Sequence, residues 1–161
     1  MMNIKAKKLI QQFELSAHPE GGYFKETLSS SELITPFNRE TRPLYTSILF
    51  LLSELEVSHF HRLKSDEIWI FQKGDPLDVV VIDENLKLEV IHLGLEKDCI
   101  PQAVVKAGTI FGSYVPNGGT SLVACIVSPG FLYSEFELFS KETLMKMVPQ
   151  YKNWIEKLGM N

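Results

Sequence analysis

Turn-forming clusters cut residues 22–139 into short runs of strand-forming residues, and that punctuation constrains the fold more than any other feature of the chain. Runs enriched in β-branched and aromatic residues predict strands near 22–28, 44–52, 57–62, 67–72, 77–82, 86–93, 102–106, 110–115, 120–128 and 131–139. Between them stand Lys73-Gly74-Asp75-Pro76, Asp83-Glu84-Asn85 and Pro116-Asn117-Gly118-Gly119. Gly, Pro, Asn and Asp supply the positive φ, fixed φ and local hydrogen bonds that tight turns need. Many short strands at close spacing predict an all-β sandwich or barrel. The polar stretch 29–42 reads as an exposed loop, and no internal repeat or low-complexity segment interrupts the pattern.

Both ends of the chain change period. Ile4, Leu9, Ile10 and Phe13 fall on one helical stripe, which predicts a short amphipathic helix over 4–13. It cannot continue, because Pro19 forces His18 toward extended geometry and Gly21-Gly22 permits positive φ. At the other end Ser140 is placed to cap a helix, Pro149 interrupts it, and Tyr151, Trp154, Ile155 and Leu158 share one face of a second piece. The expectation is therefore one domain over 1–161, with a barrel core at about 22–139 and helices over 140–158.

Charge and composition exclude several functions. The formal net charge is −4 and the three arginines are Arg39, Arg42 and Arg62. A nucleic-acid binder carries a basic face, so that class is not expected. The longest strongly apolar run, Ile48 to Leu52, is far short of the ~20 residues of a membrane-spanning helix. Lys5, Lys7 and Lys8 precede no apolar signal core. With no secretory signal expected, Cys99 and Cys125 read as reduced thiols, and the expected location is the cytoplasm.

The segment His59-Phe-His-Arg-Leu-Lys-Ser-Asp-Glu-Ile-Trp-Ile-Phe-Gln-Lys-Gly74 carries the candidate chemistry. Alternation on a strand puts His59 and His61 on one face, and Glu67, Trp69 and Phe71 on one face of the next strand. Pairing of the two strands as a hairpin around Leu63–Asp66 would bring His59, His61 and Glu67 together. Asp66 would point away and cap the turn. His92 lies on a strand and is expected to pack or meet solvent.

This segment, with His18-Pro-Glu-Gly-Gly-Tyr-Phe before it and Pro129-Gly-Phe after it, resembles a largely uncharacterised branch of the cupins marked by HPEGGY and H-R-x-K-S-D-E. The resemblance covers roughly residues 8–156. It implies a double-stranded β-helix, the cupin or jelly-roll barrel, with short N- and C-terminal helices, a ligand cavity at its mouth, and often a homodimer. Two features depart from the wider cupin pattern. Phe111 stands where the second cupin motif has a histidine, although Gly108 of that motif is kept. Ile70 stands where this branch often has a histidine after the tryptophan, whereas His59 occupies a position that in this branch is often not a histidine.

Three functional readings follow. His59, His61 and Glu67 form a two-histidine, one-carboxylate set suited to a divalent metal such as Fe, Zn, Mn or Ni. Metal-free acid–base catalysis, as in the dTDP-sugar 3,5-epimerases that this chain resembles in fold, would use His61 as base oriented by Glu67, with Tyr23, Tyr114 or Tyr133 as acid. The scarcity of arginine opposes a pyrophosphate substrate, with Arg42 and Arg62 the candidates for clamping one. The third reading is a small-molecule-binding cavity with His61 and Glu67 as polar groups and Trp69, Phe71, Phe111 and Tyr23 as walls. For His18–Tyr23 the plainer reading is a turn that launches the first strand; the alternative puts Glu20, Tyr23 or Glu26 at the cavity mouth.

Overall fold

The structure is a computed structural model that describes residues 3–54 and 56–161. It is mostly β, built from antiparallel strands in two facing sheets. The first sheet contains β1 (Ser16–Ala17), β2 (Tyr23–Ser29), β5 (Thr46–Ser53), β7 (Asp66–Gly74), β10 (Gln102–Val105) and β12 (Thr120–Ser128), in the order β1-β2-β5-β12-β7-β10. The second contains β6 (Val57–Arg62), β8 (Leu77–Ile82), β9 (Leu88–Leu93), β11 (Ile110–Tyr114) and β13 (Glu137–Leu138), in the order β13-β6-β11-β8-β9. A small ladder of β3 (Leu33–Ile34) and β4 (Arg42–Pro43) lies in the stretch expected to be loop. The non-sequential strand order is that of a jelly-roll barrel.

Strands predicted between 22 and 128 are present with ends within two residues of expectation. The strand predicted over 131–139 is not continuous. A 3-10 turn, Tyr133–Glu135, bends the chain before β13. This bend carries Phe131, Tyr133 and Phe136 across the open end of the barrel.

Helices cover part of the outer face of each sheet, and over β5 that cover explains the unbroken apolar run. Ile48, Phe50 and Leu52 face the barrel interior, while Leu49 and Leu51 face α1 (Ile4–Phe13) with Ala6, Leu9 and Phe13. A strand buried on both faces loses the alternation of polar and apolar residues. The second sheet turns Phe60, Val80, Ile82 and Ile110 toward α2 (Lys141–Met147) and α3 (Lys152–Leu158). Ser140 accepts a hydrogen bond from the Thr143 amide, capping α2, and a 3-10 turn at Pro149–Tyr151 separates the two helices. No helix among the described residues is long and apolar enough to cross a membrane. Cys99 and Cys125 are both free thiols.

Candidate functional site

One end of the barrel interior stays open as a cavity of about 130 Å³. Its polar lining comes from His18, Glu20, Glu26, His61 and Glu67; its apolar lining includes Phe24, Ile48, Phe50, Trp69, Phe131 and Phe136. His61 and Glu67 do not meet as neighbours in a hairpin. β6 and β7 belong to opposite sheets, so the link at 63–65 crosses the barrel and the two side chains face the cavity from its two walls.

His59 is not at this cavity, contrary to the alternation argument. Phe111 pairs with His61 but Ser113 pairs with Ser58, so Gly112 stands opposite two residues, His59 and Phe60. This is a β-bulge, which shifts the side-chain alternation by one residue. Ser58 and His61 therefore point inward, Phe60 packs against the C-terminal helices, and the His59 ring reaches the Leu158 carbonyl at 3.2 Å. Gly112 is required there: a Cβ would lie 2.7 Å from the Ser58 carbonyl oxygen.

Glu20 occupies the ground expected for His59. It lies in the turn between β1 and β2, closed by hydrogen bonds from His18 N–H to Gly22 O and from Gly21 N–H to His18 O. The His59 amide donates to the Glu20 carbonyl at 2.7 Å, docking the turn on β6. Gly21, at φ 103°, permits this approach, since a Cβ would meet the Val57 carbonyl oxygen at 2.1 Å. The Glu20 carboxyl then points inward. Its Oε1 accepts from Ser58 Oγ at 2.8 Å, while Oε2 lies 3.3 Å from His61 Nε2 and 3.4 Å from His18 Nδ1.

Hydrogen-bond partners fix both imidazole tautomers. A backbone carbonyl only accepts, so His61 Nδ1, at 2.7 Å from the His59 oxygen, carries a proton. The neutral ring then offers Nε2 as an acceptor toward Glu20. In His18, Nδ1 accepts from the Glu20 amide at 3.2 Å, which leaves the proton on Nε2. Burial pushes both imidazoles down to about 4, with the nearby His61 adding to the effect on His18. Burial likewise pushes Glu20 up to about 8, opposed by its bond from Ser58. Glu67 rises to about 8 through burial and then through the neighbouring Glu20, opposed by the Trp69 indole N–H, which donates to Oε2 at 3.0 Å. Burial thus favours neutral imidazoles at His18 and His61 and protonated carboxyls at Glu20 and Glu67, and a Glu20 acid is the donor matching His61 Nε2.

The remaining candidates divide. Trp69 lines the cavity. Phe71 packs at the edge of the inter-sheet core rather than on the cavity. Phe111 is fully buried behind His61, with ring centroids 4.1 Å apart, so it supports the imidazole and is not a wall. Tyr23 points to the α1 side, because Phe24 and Glu26 take the inward face of β2. Tyr114 donates to Asp78 on the outer side; among the tyrosines named as candidate acids, Tyr133 reaches the cavity. Neither arginine proposed as an anion clamp is free. Arg42 is buried against Glu135, joined there by Arg39, and Arg62 pairs with Glu137 at 2.6 Å. The Arg39–Glu135–Arg42 cluster ties the 29–42 segment to the bend that carries Tyr133 and Phe136 over the cavity. Asp66 caps the 106–109 turn through the Ala107 amide at 2.9 Å, and His92 pairs with Asp78 at the surface.

Comparison with known proteins agrees with this architecture. Residues 7–139 match the sequence profile of the Cupin superfamily (DUF985). The chain belongs to this cupin family. The uncharacterized protein YML079W of Saccharomyces cerevisiae is 30% identical, with the alignment covering 87% of this chain and 78% of the yeast protein. The solved structure of protein SO0799 from Shewanella oneidensis superposes with a TM-score of 0.90 at 42% identity, covering 99% of each chain. Oxalate decarboxylase from Bacillus subtilis shares the cupin fold at a TM-score of 0.57 and 18% identity, over 88% of this chain and 36% of its own.

A metal centre does not fit the donors of this cupin. The set expected from sequence is broken by the turning away of His59. In the cavity, His61 Nε2 and His18 Nδ1 both face Glu20, and Glu67 Oε2 is held by the Trp69 indole. Among the described residues, no group of three or more His, Cys, Asp or Glu is arranged to hold a metal ion. For His18 and Glu20 sequence reasoning favoured a turn, with Glu20, Tyr23 or Glu26 at the cavity mouth as the alternative; the turn is present, Glu20 and Glu26 line the cavity, and Ser58 and Phe136 were overlooked. The available signal for the first pair was a histidine and a glutamate spaced by proline directly before an aromatic strand.

Proposed function

We propose that this cupin domain binds a compact small molecule in the barrel cavity, with His61 and Glu67 as the central polar contacts and Trp69 as a wall. The observation that carries this reading is a cavity of about 130 Å³ into which two imidazoles and two buried carboxyls project. A cavity close in size to one that holds a single benzene molecule, ~150 Å³, suits a ligand of one ring or its equivalent. Burying four titratable groups in one apolar cavity costs stability, and clusters of that kind are characteristic of functional sites. A thermal-shift screen against small metabolites tests the reading, since a ligand selective for the folded state raises the melting temperature. Any hit should lose its shift in Glu67→Gln; a hit that shifts both proteins equally counts against the site.

A second reading is proton-transfer catalysis in the same cavity. It is favoured by the contact of His61 Nε2 with Glu20 Oε2 at 3.3 Å, an imidazole and a carboxyl placed to share a proton that a bound ligand would displace. His61 would take a proton from a bound carbon or oxygen acid, and Tyr133 is the candidate donor on the mouth side. Incubating a thermal-shift hit in deuterated water tests this. Enzyme-dependent deuterium incorporation supports catalysis, and its absence leaves binding as the function.

A further inference from the structure

The cavity has an unusual balance of charge types. Three carboxyl side chains line it, Glu20, Glu26 and Glu67, and no lysine or arginine does. The nearest arginine cluster is committed to Glu135. Its other titratable groups are His18, His61, Cys125 and Tyr133. An anionic ligand would find no standing counter-charge and would need buried imidazoles to take up protons. A cationic ligand would find carboxyls and aromatic rings lining the same cavity.

We infer that the ligand is a small organic cation, such as a protonated amine, held by the carboxyl of Glu67 and the aromatic rings of Trp69, Phe50 and Phe136 that line the same cavity. This rests on the small-molecule reading above. Glu67 is the principal partner because Oε2 is occupied by the Trp69 indole while Oε1 has no hydrogen-bond partner among the described residues. Glu67 itself is buried, only 7% exposed, and lines the cavity. Glu20 is less available, with Ser58, His61 and His18 already around its carboxyl. The surrounding rings add attraction for a cation through their electron-rich faces. Trp69 and Phe50 meet edge to face, with centroids 6.1 Å apart. Glu67 is favoured as an acid by burial and the neighbouring Glu20, with no cationic side chain in the lining to act as a counter-ion. A bound cation supplies one, so the acid ionises and its proton leaves to solvent.

Three probes of matched size separate the possibilities: benzylamine, benzyl alcohol and benzoate, titrated calorimetrically into the full chain at pH 7 in two buffers of different ionisation enthalpy. Benzylamine should bind at least roughly tenfold more tightly than benzyl alcohol, as a desolvated cation–aromatic contact allows. Its heat should vary with buffer in proportion to the released proton. Glu67→Gln should remove both the preference and the proton release while retaining wild-type circular dichroism. Equal or tighter binding of benzyl alcohol or benzoate overturns the inference and leaves the small-molecule reading intact. Binding of benzylamine without proton release, or undiminished in Glu67→Gln, also overturns it. Binding of none of the three overturns it too, and the small-molecule reading is then decided by its own metabolite screen.

Discussion

Nε2 of His61 lies 3.3 Å from Oε2 of Glu20, a contact between residues about forty positions apart in the chain. Three local arrangements produce it. A bulge in β6 turns His61 inward, glycine at position 21 lets the β1–β2 turn seat on that strand, and Ser58 orients the carboxyl from its other oxygen.

The acidic pair makes stability depend on pH. Glu20 and Glu67 have folded-state values raised to about 8, so they favour the folded state at low pH and lose that effect as pH rises. His18 and His61, lowered to about 4 from 6.5, act in the opposite sense below 6.5. The two effects oppose each other in the acid range and leave a net loss between about 6.5 and 8. The loss is roughly 1–2 kcal/mol per carboxyl. Glu20→Gln keeps the bond from Ser58, donates to His61, and should flatten the loss by about half. Urea unfolding at pH 6.5 and 8.5 measures it; equal slopes for the two proteins would remove Glu20 from this account.

Glu135 should be the costliest single side chain to neutralise. It accepts from both Arg39 and Arg42, and these guanidiniums hold its carboxyl down at about 2. Arg42 is only 1% exposed, so Glu135→Ala leaves a buried charge without its partner. Loss of such a partner costs roughly 3–5 kcal/mol. Because the folded value is depressed, this stabilisation is present above the ordinary carboxyl range and fades as pH falls toward 2. Chemical denaturation of the variant at pH 7 gives the magnitude.

Two glycines should respond differently to alanine. Gly21→Ala places a methyl group 2.1 Å from the Val57 carbonyl oxygen at φ 103° and should shift the turn, lowering the melting point sharply. Gly108, at φ 81°, has no neighbour within 4 Å, so Gly108→Ala carries the backbone penalty alone. That penalty is roughly 1–2 kcal/mol. Differential scanning calorimetry of the two variants compares them directly.

His59→Ala should leave ligand affinity and metal content at wild-type levels. The ring contacts the Leu158 carbonyl outside the cavity, so the expected stability loss is about that of one hydrogen bond, ~1 kcal/mol. Mass spectrometry of native protein together with ligand titration checks both expectations. A loss of bound metal in this variant would restore the histidine pair to a metal role.

The barrel was legible because its signals are local: turn clusters bound β8 and β12, helical stripes mark α1 and α3, and Ser140 announces α2. The site was legible only in part, because its assembly is not local. His61, Glu67 and Trp69 could be selected from their spacing. The rotation of His59 depends on how β11 pairs with β6, which the sequence of β6 alone does not specify. Likewise the 18–22 turn is recognisable from its proline and glycines, but its docking through the His59 amide is a long-range event. Phe111 looked like a wall by its position in a motif; its place behind the imidazole follows from cross-strand pairing with His61.

The extra residue in β6 acts as a phase setter for the whole interior. Deleting one position between Ser58 and His61 would restore regular pleating yet leave those two residues opposite Ser113 and Phe111, so the imidazole would stay inward and the strand would lose one of its two outward positions. One inserted residue thus lets a short strand offer polar groups to the chamber at both 58 and 61 while sending the ring at 59 to the helical side.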